Sequence, residues 1–299
     1  MAGAAWVEPR SILFVPADAG RFIAKAASRG ADVIVLDLED GVAPSSKATA
    51  RASLPRSISL LRAQGATVYV RVNNEPSLLQ QDLHAAASAQ ADGIVLPKVE
   101  SQEQLQDLDR ELAAHSENSA MGIIGLVESP LGICRVLEIA KSTVRLRALC
   151  FGSEDFAAAM GIEPSTESLG WPAHAMAVAA VAAGVQPLGL LGSVGNFADL
   201  AGYRDLVARS RQIGMRGATC IHPAQVAILN EEFTASDADV AAAHRLVTLF
   251  DAAVREGKGA IAVDGKMVDA PIAQRARLVL LRHRARQPAA FMTHGSDQT

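Results

Sequence analysis

Eight short apolar runs recur along the first three quarters of the chain, and they constrain its fold more than any other feature. Most of them are rich in β-branched residues or bounded by turn signals, which is typical of strands. The runs are apolar throughout rather than alternately apolar and polar, as expected for parallel strands buried on both faces. They occupy residues 11–15, 32–38, 67–72, 93–99, 122–127, 148–151, 186–190 and 218–221.

Ala-rich segments with helical spacing separate these runs. The clearest of them are residues 21–29, 46–64, 81–90, 103–115 and 130–141. Alternating strands and helices indicate an α/β fold. Because there are eight such units, they favour a (β/α)₈ TIM barrel over a doubly wound sheet. We therefore predict a catalytic barrel domain over residues 1–233.

A different pattern follows the last strand. Residues 235–256 predict a long amphipathic helix, and a basic helix is expected over residues 271–286 after a short stretch that contains Gly and Asp. We interpret residues 234–288 as a C-terminal helical extension that packs on the barrel or on a neighbouring subunit. Residues 289–299 are expected to form a mobile tail.

Charge and cysteine usage exclude several classes of function. The net charge of −4 gives no reason to expect binding to nucleic acid or to a membrane surface. The three cysteines are scattered without CxxC spacing, which is typical of reduced thiols in the cytosol. Neither a signal peptide nor a membrane-spanning run is recognisable. We therefore expect a soluble, cytoplasmic protein.

Polar residues follow nearly every predicted strand. In a barrel the carboxyl ends of all strands meet at one rim, which is where the active site of this fold lies. So many titratable and donor groups there disfavour a non-catalytic barrel that only binds sugar or protein. These residues include Asp37 to Asp40, Arg71, Asn73, Lys98, Glu128, Asp155 and His222.

Glu128 and Asp155 follow neighbouring strands, in GLVESP and FGSEDF. Adjacent strands lie about 5 Å apart, so the two carboxylates can share a small, hard cation. Magnesium suits such a site because it keeps waters and takes oxygen atoms from the substrate, whereas zinc prefers His and Cys. Each acid also begins a helical segment and can act as a cap. We favour the metal site because both acids stand at adjacent strand ends.

Arg71, in YVRVN, ends a buried strand, where its planar fork can hold a carboxylate or a thioester oxygen. The alternative is an ion pair with Glu39 or Asp40 at the end of the preceding strand. The two roles are compatible, because these acids can fix the arginine that binds the substrate.

Basic residues elsewhere on the rim are weaker candidates. Arg21 and Lys25 lie one helical turn apart after Phe14 and can receive the phosphates of a coenzyme. Exposed basic pairs, however, are usually only solvated. Lys98 permits a Schiff base with a carbonyl substrate. A lysine at a strand end more often pairs with nearby acids.

His222 and Asp269 are candidates with equally good structural explanations. His222, in CIHPAQ, ends the eighth strand, and we assign it to binding rather than catalysis because a His-Pro turn is a rigid loop element. Asp269 precedes Pro271 and a predicted helix, so its spacing alone indicates an N-cap.

Eight segments occur in order from Arg10 to about Arg277: RSILFVP, VIVLDLEDGV, VRVN, DGIVLPKVES, GLVESPLGI, FGSEDFAAAMG, CIHPAQ and GKMVDAP. Together they resemble the citrate lyase beta-subunit-like family, which includes malyl-CoA and citramalyl-CoA lyases. The resemblance implies a (β/α)₈ barrel, a homo-oligomer (trimer or hexamer), magnesium as cofactor, and a coenzyme A or acyl-carrier thioester as ligand.

The resemblance also implies roles for individual residues. It implies that Glu128 and Asp155 hold magnesium and that Arg71 binds the substrate. Asp269 matches a catalytic acid–base that a neighbouring subunit delivers. The implied contacts to the thioester are Phe14, Arg21, Lys25, Ile221 and His222.

The implied reaction is the cleavage of a β-hydroxyacyl-CoA, of the citramalyl-CoA or malyl-CoA type, to acetyl-CoA and a 2-oxo acid such as pyruvate or glyoxylate. Two alternatives remain open: the beta subunit of an acyl-carrier-dependent citrate lyase, and a 2-oxo acid aldolase that acts on free acids. Residues 169–178 and 187–197 depart from the family pattern, so the acyl group is left open.

Overall fold

The computed structural model describes residues 6–114 and 121–286. Its main sheet consists of eight parallel strands, and the structure orders them β7-β6-β5-β4-β3-β2-β1-β8. These strands are β1 (Ser11–Pro16), β2 (Val33–Asp37), β3 (Val68–Arg71), β4 (Gly93–Leu96), β5 (Gly122–Val127), β6 (Leu146–Phe151), β7 (Gln186–Gly189) and β8 (Ala218–Cys220).

The two ends of this sheet are joined by backbone hydrogen bonds. Arg216 N donates to Pro187 O at 2.9 Å, and Gly189 N donates to Gly217 O at 3.0 Å. These bonds link β7 to the residues that lead into β8. With helices between the strands, the predicted (β/α)₈ barrel is confirmed.

Helices connect the strands of the barrel. The segment 130–141, which we expected to form one helix, forms two short ones that meet at Arg135, whose φ is −109°. The helices are α1 (Gly20–Ala26), α2 (Lys47–Arg62), α3 (Pro76–Ser88), α4 (Gln102–Ala114), α5 (Pro130–Cys134), α6 (Val136–Ala140), α7 (Ser153–Met160), α8 (Thr166–Ala182), α9 (Leu200–Gln212) and α10 (Pro223–Glu232).

Alternate strand residues face opposite sides of the sheet and form two apolar layers. One set packs against the helices, and the other fills the inside of the barrel. The Trp6 ring meets the edge of Tyr69 with ring centroids 6.2 Å apart and packs against this inner cluster. The inner cluster consists of Ile12, Val33, Val35, Tyr69, Val95, Ile124, Leu126, Ala148, Cys150 and Leu188.

A second compact unit begins at Thr234. It contains the helices α11 (Asp237–Arg255) and α12 (Ala270–Arg286). Between them, β9 (Ile261–Val263) pairs antiparallel with β10 (Lys266–Val268). Asp264 and Gly265 join these strands with positive φ values of 49° and 74°, as a tight hairpin turn requires. The predicted tail, residues 289–299, lies outside the residues that the structure describes.

Across residues 6–114 and 121–286, no helix combines the length and the apolar character needed to cross a membrane. A cytoplasmic location stays a prediction.

Candidate active site

A cavity of about 670 Å³ lies at the carboxyl ends of the barrel strands. Seven of the side chains singled out from the sequence line it, together with Asp37, Arg29 and Phe22. These seven are Phe14, Lys25, Arg71, Glu128, Asp155, Ile221 and His222.

Asp37, which the sequence placed on the rim but did not pair with Arg71, is the main partner of that arginine. The two residues end β2 and β3 and are partners in the strand register. Arg71 donates from Nε to Oδ1 and from Nη2 to Oδ2 of Asp37, both at 2.7 Å. Burial opposes the charged guanidinium, but Asp37 and Glu39 outweigh burial and raise the pKa of Arg71. Arg71 is therefore a fixed positive charge at the cavity.

The backbone after β2 shapes this pair. Asp37 also accepts hydrogen bonds from the N–H groups of Glu39 and Gly41, both at 2.9 Å. A Cβ at position 41 would lie 2.3 Å from Asp37 Oδ2, so the loop needs glycine there. A glycine after DLED suits many turns, so Gly41 alone did not identify Asp37 from the sequence.

Glu39 lies between two cations. Its Oε2 is 3.0 Å from Arg71 Nη1, and its Oε1 accepts a hydrogen bond from Lys98 Nζ at 2.5 Å. Asp40, the other expected partner of Arg71, is instead exposed and lies 3.9 Å from Lys98 Nζ. The backbone turns Asp37 and Glu39 towards Arg71 and leaves Asp40 in solvent.

Lys98 forms hydrogen bonds with two acids of the rim, Glu39 and Glu128. Its φ of 54° is in the left-handed region, and in this conformation its backbone N–H donates to Glu128 Oε1 at 2.7 Å. Its hydrogen bond to Glu39 raises the pKa of the Lys98 amine. A Schiff base requires a neutral amine, so this environment disfavours the imine role.

Glu128 is a buried carboxylate in an unusual electrostatic setting. It follows β5 and is 5% exposed. Burial, and then the charge of Asp155, raise the pKa of Glu128 to about 7. The next strand makes room for it, because a Cβ on Gly152 would lie 2.4 Å from Glu128 Oε2.

Two carboxylates that face one cavity and repel each other fit a divalent cation. Asp155, in the first turn of α7, is exposed and lines the cavity with Glu128. Both offer hard oxygen ligands, which magnesium prefers. Within the two described ranges, no cluster of three or more His, Cys, Asp or Glu side chains suits a metal ion. The pair therefore fits an ion that takes its remaining ligands from water and substrate.

The first βα unit contributes an aromatic ring from β1 and two bases from α1 and the turn that follows it. The Arg71 guanidinium lies 5.0 Å from the centroid of the Phe14 ring. Lys25 and Arg29 line the cavity, whereas the guanidinium of Arg21 lies over the Phe22 ring, 5.2 Å from its centroid. Arg21, expected as a ligand contact, is thus not among the lining residues. Arg29 comes to the cavity because a 3₁₀ turn (Ala27–Arg29) continues α1.

His222 lies two residues after β8, where it caps α10 and forms part of the cavity wall. Its Nδ1 accepts from Ala224 N at 3.2 Å at the start of α10. Its ring stacks on Phe197 at 4.8 Å between centroids. Because Nδ1 is used by the cap, Nε2 is the nitrogen left for a ligand. Ile221 beside it is 50% exposed and also lines the cavity.

Asp269 belongs to the second unit. Its Oδ1 accepts from Ile272 N at 3.3 Å at the start of α12, so it forms an N-terminal cap there. A role of Asp269 in the active site stays a prediction.

Comparison with known proteins identifies relatives over most of the chain. The model of the HpcH/HpaI aldolase/citrate lyase family matches residues 10–223. Citrate lyase subunit beta of Escherichia coli K12 is 34% identical over 281 residues, which cover 91% of this chain and 92% of that protein. The L-malyl-CoA/beta-methylmalyl-CoA lyase of Cereibacter sphaeroides ATCC 17029 is 34% identical and covers 91% and 93%.

A solved structure gives the same result. The protein CitE from Mycobacterium tuberculosis, crystallised with magnesium, acetoacetate and coenzyme A, superposes with a TM-score of 0.75 at 29% identity. The match covers 93% of this chain and 98% of that one. With eight strands, a rim of acids and a matching sequence, the chain belongs to the HpcH/HpaI aldolase/citrate lyase family.

Proposed function

We propose that the protein is a magnesium-dependent carbon–carbon lyase that cleaves a β-hydroxyacyl-CoA, of the citramalyl-CoA or malyl-CoA type, to acetyl-CoA and a 2-oxo acid. The observation that carries the proposal is the convergence of Glu128, Asp155 and Arg71 on one cavity. The malyl-CoA lyase relatives support a thioester substrate. The CitE structure with magnesium and coenzyme A supports the metal and the coenzyme.

Glu128 and Asp155 hold the magnesium ion in this proposal. When bound there, magnesium supplies a Lewis acid and a template for the carboxylate and hydroxyl oxygens of the substrate. The raised pKa of Glu128 is consistent with this role, because a carboxylate that is costly to ionise alone is stabilised by a divalent cation.

The chain's own residues then act on charge and protons. The bond between the α-carbon of the thioester and the carbinol carbon breaks, the hydroxyl proton passes to solvent water, and a carbonyl forms. The electron pair of the broken bond moves to the acetyl-CoA enolate. Arg71, held charged by Asp37, faces the oxygen that gains negative charge. Asp269, delivered by a neighbouring subunit, protonates the enolate carbon.

Residues at the cavity wall bind the thioester. Phe14, Ile221 and His222 offer apolar surface together with one ring nitrogen, and Lys25 provides a cation for the coenzyme phosphates. Arg29, which also lines the cavity, adds a second cation. A shared site requires more than one subunit, so we propose a homo-oligomer, a trimer or a hexamer.

The test is a panel of malyl-, methylmalyl-, citramalyl- and hydroxymethylglutaryl-CoA, scored for release of acetyl-CoA. We expect magnesium-dependent release from at least one of them and none from Glu128→Ala. Exposed Glu167 on α8 gives the matched control, since Glu167→Ala removes an acid that is not among the residues lining the cavity. No release from any thioester by the folded, magnesium-loaded protein would contradict the proposal.

A second candidate is the beta subunit of an acyl-carrier-dependent citrate lyase. The 34% identity to the Escherichia coli subunit supports it. The same assay with citryl thioesters separates the two functions. Cleavage only of the acyl-carrier form would favour the subunit, and cleavage of coenzyme A thioesters by the isolated chain would favour the stand-alone lyase.

A third alternative, an aldolase for free 2-oxo acids, predicts a different chemical trace. If Lys98 forms an imine, borohydride with a 2-oxo acid should add mass to the wild type and not to Lys98→Met. We expect no trapping, because Glu39 keeps Lys98 protonated.

A further inference from the structure

A row of hydrogen-bonded polar side chains, two of them buried and one half-buried, lies behind the active-site rim, between the ends of β2 and β3 and the helices α2 and α3. It runs from Asp82 through Asn73 to Lys47 and ends at the two backbone carbonyls that precede Asp40. None of these three side chains lines the 670 Å³ cavity. Their contacts nevertheless lead to the loop that holds Arg71.

Asp82 anchors this row. It is fully buried on α3, and its Oδ2 accepts from both Asn73 N at 2.9 Å and Asn73 Nδ2 at 2.7 Å. Its Oδ1 accepts from Arg51 Nε at 2.6 Å. A buried carboxylate is costly unless hydrogen bonds and an opposite charge satisfy it, and Asp82 has both. Asn73, two residues after Arg71, is thereby fixed in position.

Lys47 connects Asn73 to the loop after β2. Its Nζ donates to Asn73 Oδ1 at 2.6 Å, and to Leu38 O and Glu39 O at 2.9 Å each. Asn73 Nδ2 also donates to Leu38 O, at 2.9 Å. An ammonium group has three N–H donors, and all three donors of Lys47 bind Asn73 and the two loop carbonyls.

The position of Lys47 is unfavourable for the helix that carries it. Lys47 is the first residue of α2, where the helix dipole favours negative charge. A cation at this position is destabilising for the helix. Its hydrogen bonds to the loop carbonyls compensate the ammonium charge. One of them is to the backbone of Glu39, whose carboxylate meets Arg71 and Lys98.

We infer that Lys47, Asn73 and Asp82 are positioning residues for Arg71. They fix the chain on both sides of the Arg71 guanidinium: the Leu38–Glu39 carbonyls after β2 and the backbone after β3. The inference rests on the proposed function only in that Arg71 acts on the substrate. The position of the guanidinium itself can be measured without any substrate.

The test compares Lys47→Met with Lys141→Met, a matched change at an exposed lysine after α6. The ¹H–¹⁵N signal of the Arg71 Nε–H group, assigned by its loss in Arg71→Lys, reports the Asp37 pair directly. We expect Lys47→Met to shift or broaden this signal and Lys141→Met to leave it unchanged. An unchanged signal in folded Lys47→Met would overturn the inference.

Kinetics on the thioester that the panel identifies give the second readout. We expect Lys47→Met to lower kcat at least about tenfold with a smaller change in KM, since the effect is on charge developing in the transition state. In the Arg71→Lys background, Lys47→Met should lower kcat much less, because the guanidinium that Lys47 positions is already absent. Equal losses in both backgrounds would show a merely structural role.

If Lys47→Met does not fold, the same measurements are made on Asn73→Ala, which removes the side chain that links Asp82 to Lys47. A failure of the proposed function can be distinguished from a failure of the positioning role. If no thioester is cleaved, the proposed function fails, and the Arg71 signal still decides the positioning role. If cleavage occurs and the signal is insensitive to both variants, only the positioning role fails.

Discussion

Arg71 donates two parallel hydrogen bonds of 2.7 Å to Asp37, its partner in the register of adjacent strands. The side chains are only 14% and 4% exposed, so little water competes for this pair. Asp37 takes two of the five N–H donors of the guanidinium, which leaves three for Glu39 and a ligand. Arg71 can thus be held rigidly and still bind a substrate.

Arg71→Lys should lower kcat/KM at least about tenfold, equivalent to ~1.4 kcal/mol. The ammonium group keeps the charge but lacks the planar fork, so it cannot serve Asp37 and a substrate oxygen together. Steady-state kinetics measure the loss, with Arg209→Lys at an exposed pair on α9 as the control. Kinetics close to wild type would mean that Arg71 serves the fold alone.

Asp37→Asn should lower the free energy of unfolding by about 3–5 kcal/mol, because it leaves Arg71 as a poorly compensated buried charge. Urea denaturation measures this change. Asp32→Asn is a matched control: Arg10 makes the same fork with Asp32, but both side chains there are 25% exposed. Its loss should be about 1 kcal/mol, as for pairs in contact with water. Similar losses at both sites would contradict the role of burial.

Much of this arrangement was predictable because strand ends in a barrel converge. Continuous apolar runs indicate buried parallel strands, so the polar residues at or just after the ends of these runs, such as Arg71 and Glu128, had to meet at one rim. The sequence could not show which acid after β2 turns inward. DLED offers three acids within four residues, and only the conformation of the loop separates Asp37 and Glu39 from exposed Asp40.

The bases that follow β1 show another limit of prediction from the sequence. Arg21, Lys25 and Arg29 follow one another at four-residue intervals, so spacing predicts one helical face for all three. The structure places Arg29 at the cavity and Arg21 over Phe22. Likewise, the positive φ that aims the Lys98 N–H at Glu128 leaves no mark in VLPKVES, since a left-handed conformation is expected of glycine.

Activity should require magnesium and both rim carboxylates. Excess chelator should abolish turnover, and added magnesium should restore it. Magnesium should also raise the thermal midpoint of the wild type, and this rise should be absent from Glu128→Ala and Asp155→Ala, which lose a ligand. Glu167→Ala, at an exposed acid of α8, should behave as the wild type. Full activity in chelator, or in folded Glu128→Ala, would refute the metal site.

In chelator, the protein should lose stability as the pH rises from 5 to 8. Folded Glu128 has its pKa raised to about 7, whereas an unfolded glutamate titrates near about 4.3. Between these values the folded state binds more protons, so the free energy of unfolding falls as pH rises. The full pKa difference corresponds to about 4 kcal/mol, of which about 3 kcal/mol is lost between pH 5 and 8. Urea titrations at both pH values should show the loss in the wild type and a much smaller one in Glu128→Gln; equal losses would assign it to other groups.

Asp269→Asn should separate a cap from a catalytic acid. Asp269 caps α12 through Ile272 N, and asparagine is as good a cap as aspartate, so folding and stability should be retained. Asparagine cannot transfer a proton, and a lost general acid costs roughly 10²–10⁴ in rate. We therefore expect a folded protein with a strongly reduced kcat. Full activity of Asp269→Asn would show that Asp269 only caps α12 and takes no part in catalysis.

Mixing subunits tests where Asp269 acts. If Asp269 reaches the site of a neighbouring subunit, an oligomer that combines Asp269→Asn and Glu128→Ala subunits contains some sites with both residues intact. Two inactive variants should then regain activity after subunit exchange, because each mixed oligomer assembles whole sites from two chains. Mass-labelled subunits verify the exchange, and Asp269→Asn mixed with itself is the control. Proven exchange without any return of activity would mean that each subunit uses its own Asp269, or none.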